Sequence, residues 1–228
     1  MIKFITLTNT GYIDYTKNFL KSLELINSNL KPECYCIGKD GYKVLKDMNY
    51  DVELIDEESN SNFQTFRKGN WSNIVYNKFK IIHKNLIDNN FVLISDGDIV
   101  IENPNLYNYL LENIKDKDML IQNDTIDDND NSNLCSGFIF IKSNSKTLDF
   151  FNPKVMEFKK NTVGWDDQVY INNHKHLINY KLLPLSLFPN GRYYYSNFRN
   201  ISPYIIHFNW IVGNEKKNKM IHFKKWYI

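Results

Sequence analysis

Two aspartates, Asp96 and Asp98, stand with only Gly97 between them in FVLISDGDIVIENP, residues 91–104. Carboxylates this close repel each other unless a cation lies between them, and side chains two apart at a strand end can converge on one ion. A hard divalent ion such as Mn²⁺ or Mg²⁺ prefers oxygen ligands and keeps open positions, which suit two oxygens of a diphosphate. Gly97 lets such a ligand approach the backbone. The rival reading is a tight hairpin, for which Asp-Gly between apolar runs is a strong local signal. Yet FVLI and IVI are unbroken apolar runs, the pattern of strands buried on both faces, whereas a hairpin with one wet face alternates. A calcium loop of the EF-hand type is excluded because its later oxygen ligands are missing.

The same Asp-x-Asp-x-Val also suits a phosphatase of the haloacid-dehalogenase type, whose first Asp attacks phosphate while the second moves protons. That motif usually stands near the start of a chain, and here three strand-helix units precede it. Other candidates carry bland readings of comparable weight. His207 ends the run IIH, where a lone histidine is more often a hydrogen-bonded core residue. Asp166, Asp167 and Gln168 open a helical stretch, where capping alone favours acidic side chains. Cys34 and Cys36 point the same way on a strand, but no second Cys or His pair is near enough to complete a zinc site. With Cys135 the thiol count is an odd three. Together with an N-terminus that has no long apolar segment, this leads to the expectation of free thiols and a cytoplasmic protein.

The elements that must position these groups follow from periodicity. KFITLTN reads as a buried strand, and residues 12–27 place Phe19, Leu20, Leu23 and Ile26 at helical spacing. CYCIG, YKVLKDMN and DVELID repeat strand, helix, strand; WSNIVYNKFKIIHKNLID then supplies a helix before FVLIS. Alternation of this kind predicts right-handed βαβ units and a mostly parallel central sheet flanked by helices. In such sheets ligands bind beyond the carboxyl ends of the strands, where Thr8, Asn9 and Asp96 fall. DMLIQND, SGFIFIK, YKLLPLSLF and YIIHFNW read as further strands, and TIDDNDNSN as a mobile acidic loop. Lys and Arg number 28 against 26 Asp and Glu, so the net charge of +2 offers no general attraction to nucleic acid. No run approaches the ~18 to 20 apolar residues that span a bilayer.

Five stretches taken in order resemble a known family: LISDGDIV, NLCSGFIFIKSN, WDDQVYIN, LFPNGRYYY and IIHFNWIVGNEKKNKMI. They are similar to the DxD-containing nucleotide-diphospho-sugar transferases of the glycosyltransferase-A fold and, more distantly, to glycogenin-like enzymes. The resemblance implies a single-domain, Rossmann-like α/β fold over residues 1–228, with a nucleotide-binding half (1–98) and an acceptor and metal-completing half (99–228). It implies that His207 joins Asp96 and Asp98 on Mn²⁺ or Mg²⁺, and that Gly213 and Lys216 reach the diphosphate of a UDP-sugar. Thr8 and Asn9 are then expected at the nucleoside. Lys78, Gly97, Ser136 and Gly137 are expected near the donor sugar and phosphates, and Asp166, Asp167 and Gln168 at the reacting face. Asp167 is the candidate for orienting hydroxyls or for general base. Cys135 departs from the family, whose close members often carry Asn there. Asn123 and Asp124 could face the donor sugar, and Arg192 with the tyrosines after it an acceptor, which is a glycan, a protein or a small molecule. A non-catalytic sugar-nucleotide-binding module is the remaining alternative.

Overall fold

Of the two unbroken apolar runs, FVLI becomes a central strand of the large sheet and IVI a strand of a separate ribbon. In a computed structural model that describes residues 1–27, 29–155, 157 and 164–228, β1 (Ile2–Asn9) and β4 (Phe91–Asp96) lie side by side and parallel, with Leu7 opposite Asp96. From β1 the sheet continues outward through β2 (Glu33–Ile37) and β3 (Val52–Ile55), both parallel, reached by way of α1 (Ile13–Leu25) and α2 (Lys39–Asp47). The chain returns along α3 (Trp71–Asp88) to β4. On the far side of β4 come β6 (Met119–Asn123), β7 (Leu134–Lys142) and β8 (Tyr180–Leu183), completing a seven-stranded sheet of order β3-β2-β1-β4-β7-β6-β8. Only the two pairings of β7 are antiparallel, so the sheet is mostly parallel, as predicted.

Burial on both faces explains why FVLI does not alternate. Val92 and Ile94 pack with Phe79, Ile82 and Leu86 of α3, while Leu93 points the other way against Phe19 and Leu20 of α1. All three strand residues are fully buried, each contributing about 1.5–3 kcal/mol. Cys34 and Cys36 share the α1 face of the same core as free thiols. Burial pushes both up to about 12, so they stay protonated.

The Asp-Gly-Asp link is not a hairpin. It joins β4 to β5 (Ile99–Ile101), which leaves the large sheet and pairs with β9 (Ile205–His207) in a separate two-stranded ribbon. The ribbon is antiparallel and sets Ile99 opposite His207, so residues more than a hundred apart in sequence arrive at one place. Gly97 sits where α1 comes closest: a Cβ there would stand 2.6 Å from the Thr16 hydroxyl oxygen.

Several segments take forms that periodicity did not reveal. The acidic loop after β6 is held by its own polar groups: Asp128 accepts from the Leu185 amide at 2.7 Å, and Asn190 donates to the Asn123 and Thr125 carbonyls. Asp-rich loops of this sort close through side chain to backbone bonds instead of apolar packing. The strand predicted over 180–188 stops at Leu183, before Pro184, which has no amide to donate. Asn190 of the PNG turn accepts from the Tyr193 amide and starts α7 (Gly191–Asn197). The basic tail forms α8 (Gly213–His222), anchored by buried Met220. Along the second half, α4 (Leu106–Ile114), α5 (Ser145–Phe150) and α6 (Asp167–His174) complete eight α-helices among the described residues.

Candidate functional site

β1 and β4 end side by side, but beyond β1 the chain goes on to β2 on one side, while beyond β4 it passes through the ribbon strand β5 to β6 and β7 on the other. That reversal opens a crevice at the carboxyl end of the sheet, and the crevice is a cavity of about 570 Å³. Thr8, Asn9, Lys78, Asp96, Gly97, Asp98, Asp124, Ser136, Gly137, Asp166, Asp167, Gln168, His207, Gly213 and Lys216 all line it, whereas Asn123, Arg192 and the tyrosines after it are not among its lining residues.

At its floor, one ligand atom each from Asp96, Asp98 and His207 lies within 4.8 Å of the others. Two carboxylate oxygens and an imidazole nitrogen form a donor set suited to Mn²⁺ and acceptable to Mg²⁺. The two carboxylates have different surroundings. Asp96 keeps 32% of its side chain exposed and pairs with Lys78 at 2.8 Å. Asp98 is 4% exposed; it accepts from the Tyr12 hydroxyl at 3.1 Å, lies 3.3 Å from His207 Nε2 and pairs directly with Lys216. Burial alone would push the Asp98 carboxyl up, but the Lys216 ammonium and the His207 ring outweigh it and hold the group well below the usual carboxylate range.

Lys78 is no exposed helix lysine. Only 5% exposed on α3, it bridges Asp96 and Asp167, the latter at 2.6 Å, and donates to the Ser136 carbonyl at 3.3 Å. Burial opposes its charge, and the two carboxylates more than restore it, leaving the ammonium above its ordinary value. Capping claims one of the two acids at the start of α6, as expected: Asp166 accepts from the Val169 amide at 2.7 Å and pairs with Arg67 at 2.6 Å. Gly137 faces Asp96 across the sheet edge, where a Cβ would reach within 2.3 Å of the His207 ring.

A second polar centre forms around Asp124. One of its oxygens accepts from Gln168 at 3.0 Å and Asn133 at 3.1 Å, the other from Asn209 at 2.8 Å and the Trp210 indole at 2.9 Å. Both hydrogens of the Gln168 amide are taken, by Asp124 and by the Asn133 side-chain oxygen, which fixes its nitrogen end. Asn123 does not share this role; its amide closes the acidic loop onto the Asp127 carbonyl. Trp210, half-exposed at the cavity mouth, holds left-handed backbone with φ of 66°, at about 1 kcal/mol or more. Arg192 stacks on its ring at 5.5 Å. The tyrosines after Arg192 are not cavity wall: Tyr194 and Tyr195 pack on Phe208 and Phe223 beneath it.

Residues 34–221 match the family described as nucleotide-diphospho-sugar transferase. The chain belongs to that family. A UDP-galactose:fucoside alpha-3-galactosyltransferase of Dictyostelium discoideum is 26% identical over 283 aligned positions, covering 99% of this chain and 43% of that protein. The chain thus spans less than half of that relative's length. Among solved structures, the galactosyltransferase LgtC with donor and acceptor sugar analogs superposes at a TM-score of 0.62 with 12% identity, over 91% of this chain and 86% of the other. The glycosyltransferase GlyE of Streptococcus pneumoniae gives 0.63 with 13% identity, over 100% and 61%. A glycosyltransferase involved in the glycosylation of the major capsid of PBCV-1 gives 0.59 with 10% identity, over 97% and 98%. The fold is that of the glycosyltransferase-A transferases, and membership in the nucleotide-diphospho-sugar transferase family sets the phosphatase reading aside.

Three functional candidates were missed in sequence. Tyr12 follows β1 and reaches both Asp98 and Lys216, yet an aromatic after a strand resembles any core residue. Arg67 and Gln122 stand in stretches that carry no motif. Among the described residues, no helix is long and apolar enough to cross a membrane.

Proposed function

We propose that this member of the family is a cation-dependent glycosyltransferase that moves a sugar from a UDP-sugar to a hydroxyl of a glycan, a protein or a small acceptor. The observation that carries this reading is the convergence of Asp96, Asp98 and His207 at the mouth of the sheet, inside a cavity with room for a nucleotide. Those three would hold Mn²⁺ or Mg²⁺, which when bound neutralises charge on the departing diphosphate. Residues 1–98 then serve the nucleotide, with Thr8 and Asn9 at the nucleoside and Gly97 giving the phosphates access to the backbone. Residues 99–228 complete the cation site and receive the acceptor.

The remaining roles follow from the charges that line the cavity. Lys216 opens α8 just after Gly213, whose backbone is left-handed with φ of 59°, and its ammonium offsets negative charge as the diphosphate leaves. Ser136 and Gly137 line the sugar pocket beside Lys78. Asp167, tied to that lysine, orients sugar hydroxyls from the wall, and Asp166 fixes the start of α6 beneath it. Gln168, its nitrogen committed to Asp124 and Asn133, turns its oxygen to the reacting face. The name of the Dictyostelium relative makes UDP-galactose the first donor to test.

Calorimetry with UDP in the presence and absence of Mn²⁺ is the test. We expect binding that depends on Mn²⁺ and disappears in Asp98→Asn; UDP binding indifferent to the ion overturns the reading.

A further inference from the structure

Building on the cation reading above, we propose that Gln122 is a positioning residue that fixes the His207 ring in the tautomer with its proton on Nδ1, leaving Nε2 free as the ligand nitrogen. Gln122 lies fully buried on β6, and its amide nitrogen donates to the carbonyls of Phe188 at 3.1 Å and Pro189 at 3.0 Å. Carbonyl oxygens only accept, so turning the amide over would set oxygen against oxygen. The atom 2.8 Å from His207 Nδ1 is therefore Gln122 Oε1. An amide oxygen has no proton to give, so Nδ1 supplies it.

The other group facing Nδ1 is Cys135, its sulfur 3.6 Å away. Burial keeps this thiol protonated well above its ordinary range. Were that thiol to donate instead, the lone pair on Nδ1 would face the lone pairs of Oε1 at the shorter distance. On the opposite edge of the ring, Nε2 lies 3.3 Å from an oxygen of Asp98. In a neutral imidazole protonated at Nδ1, Nε2 carries a lone pair, and it points at the carboxylate with which it would share a cation. The close fit of the ring over Gly137 holds this orientation. Metal-binding histidines commonly donate their second ring nitrogen to such an acceptor, and losing that acceptor weakens metal affinity about 10- to 100-fold.

The first measurement needs no mutation. The ¹⁵N spectrum of labelled histidine in the metal-free protein should show a proton on His207 Nδ1, whether or not the Asp98 carboxylate also draws one onto Nε2; a bare Nδ1 overturns the proposal. The second is the Mn²⁺ affinity of Gln122→Leu without nucleotide, read by the spin resonance of free Mn²⁺, with circular dichroism confirming the fold. We expect a loss of about 10- to 100-fold and a mixture of tautomers. A folded variant that keeps both the wild-type affinity and the Nδ1-protonated ring overturns it as well. If the unaltered protein binds no Mn²⁺, the cation reading falls, while the ring spectrum still decides the role of Gln122.

Discussion

The cavity has two lysine-braced walls, built on opposite plans. On one, Lys78 rises from the middle of α3 and is locked between Asp96 and Asp167, all on elements of the main sheet or packed against it. On the other, Lys216 sits in the first turn of α8, just beyond the half-exposed Trp210 and Val212, and pairs with Asp98 and Tyr12. The first lysine is a strut: the buried Asp167 and the half-buried Asp96 both depend on it. The second is a charge brought in from a short helix and held by one buried carboxylate, and it is the ammonium proposed to meet the departing diphosphate. Similar chemistry on different supports thus divides structural from functional duty.

The comparison is broken most sharply at the carboxylate shared by the second wall. Asp98→Asn removes one of the three groups proposed to hold the cation, and its first effect should be a fall in transfer or donor hydrolysis on the order of a thousand-fold, joined by a lower melting temperature because the buried Lys216 ammonium loses its carboxylate. Lys78→Met should do the reverse first, costing about 3–5 kcal/mol of stability by stranding two acids, seen as an earlier midpoint in urea. Lys216→Met should cost less stability than Lys78→Met but a larger share of turnover, which steady-state kinetics beside urea titration would separate. If both lysine variants lose stability equally, the distinction between the walls fails.

pH offers a gentler probe. Because the folded state holds Asp98 below its unfolded value, this group contributes stability that is fully present above about pH 4 and is lost as pH falls through the depressed folded value. Removing Lys216 removes the main opposition to burial. The Asp98 share of the acid loss should therefore shrink in Lys216→Met, whose melting temperature falls less steeply below about pH 4 than that of the unaltered protein. The smallest effect is expected at Asp124→Asn, which cannot accept from all four of its donors. It should cost about 1–3 kcal/mol and alter the fluorescence of Trp210, whose indole it holds.

How much of this was legible in sequence depended on locality. β1 to β4 announced themselves because continuous apolar runs alternate with helical spacing, and the Asp-Gly-Asp link was visible because its residues are adjacent. Lys78 looked like any lysine on an amphipathic helix, since nothing in WSNIVYNKFK shows that its partners are Asp96 and Asp167. α7 and α8 escaped because their apolar faces are aromatic and brief, and they are helices only against Phe208, Phe223 and Met220. The family resemblance supplied His207, Gly213 and Lys216; it could not supply Gln122, whose part is defined by two backbone carbonyls from a distant turn.

The ribbon of β5 and β9 has a consequence for how the protein comes into being. Its first strand is synthesised about a hundred residues before its second, and chains emerge N-terminus first. The large sheet, whose last strand ends at Leu183, can thus assemble while the DGD acids still lack their imidazole and the Lys216 ammonium. A nascent chain would be folded through most of its core before the ribbon closes, so the cluster of two acids and an imidazole is complete only once His207 has emerged from the ribosome.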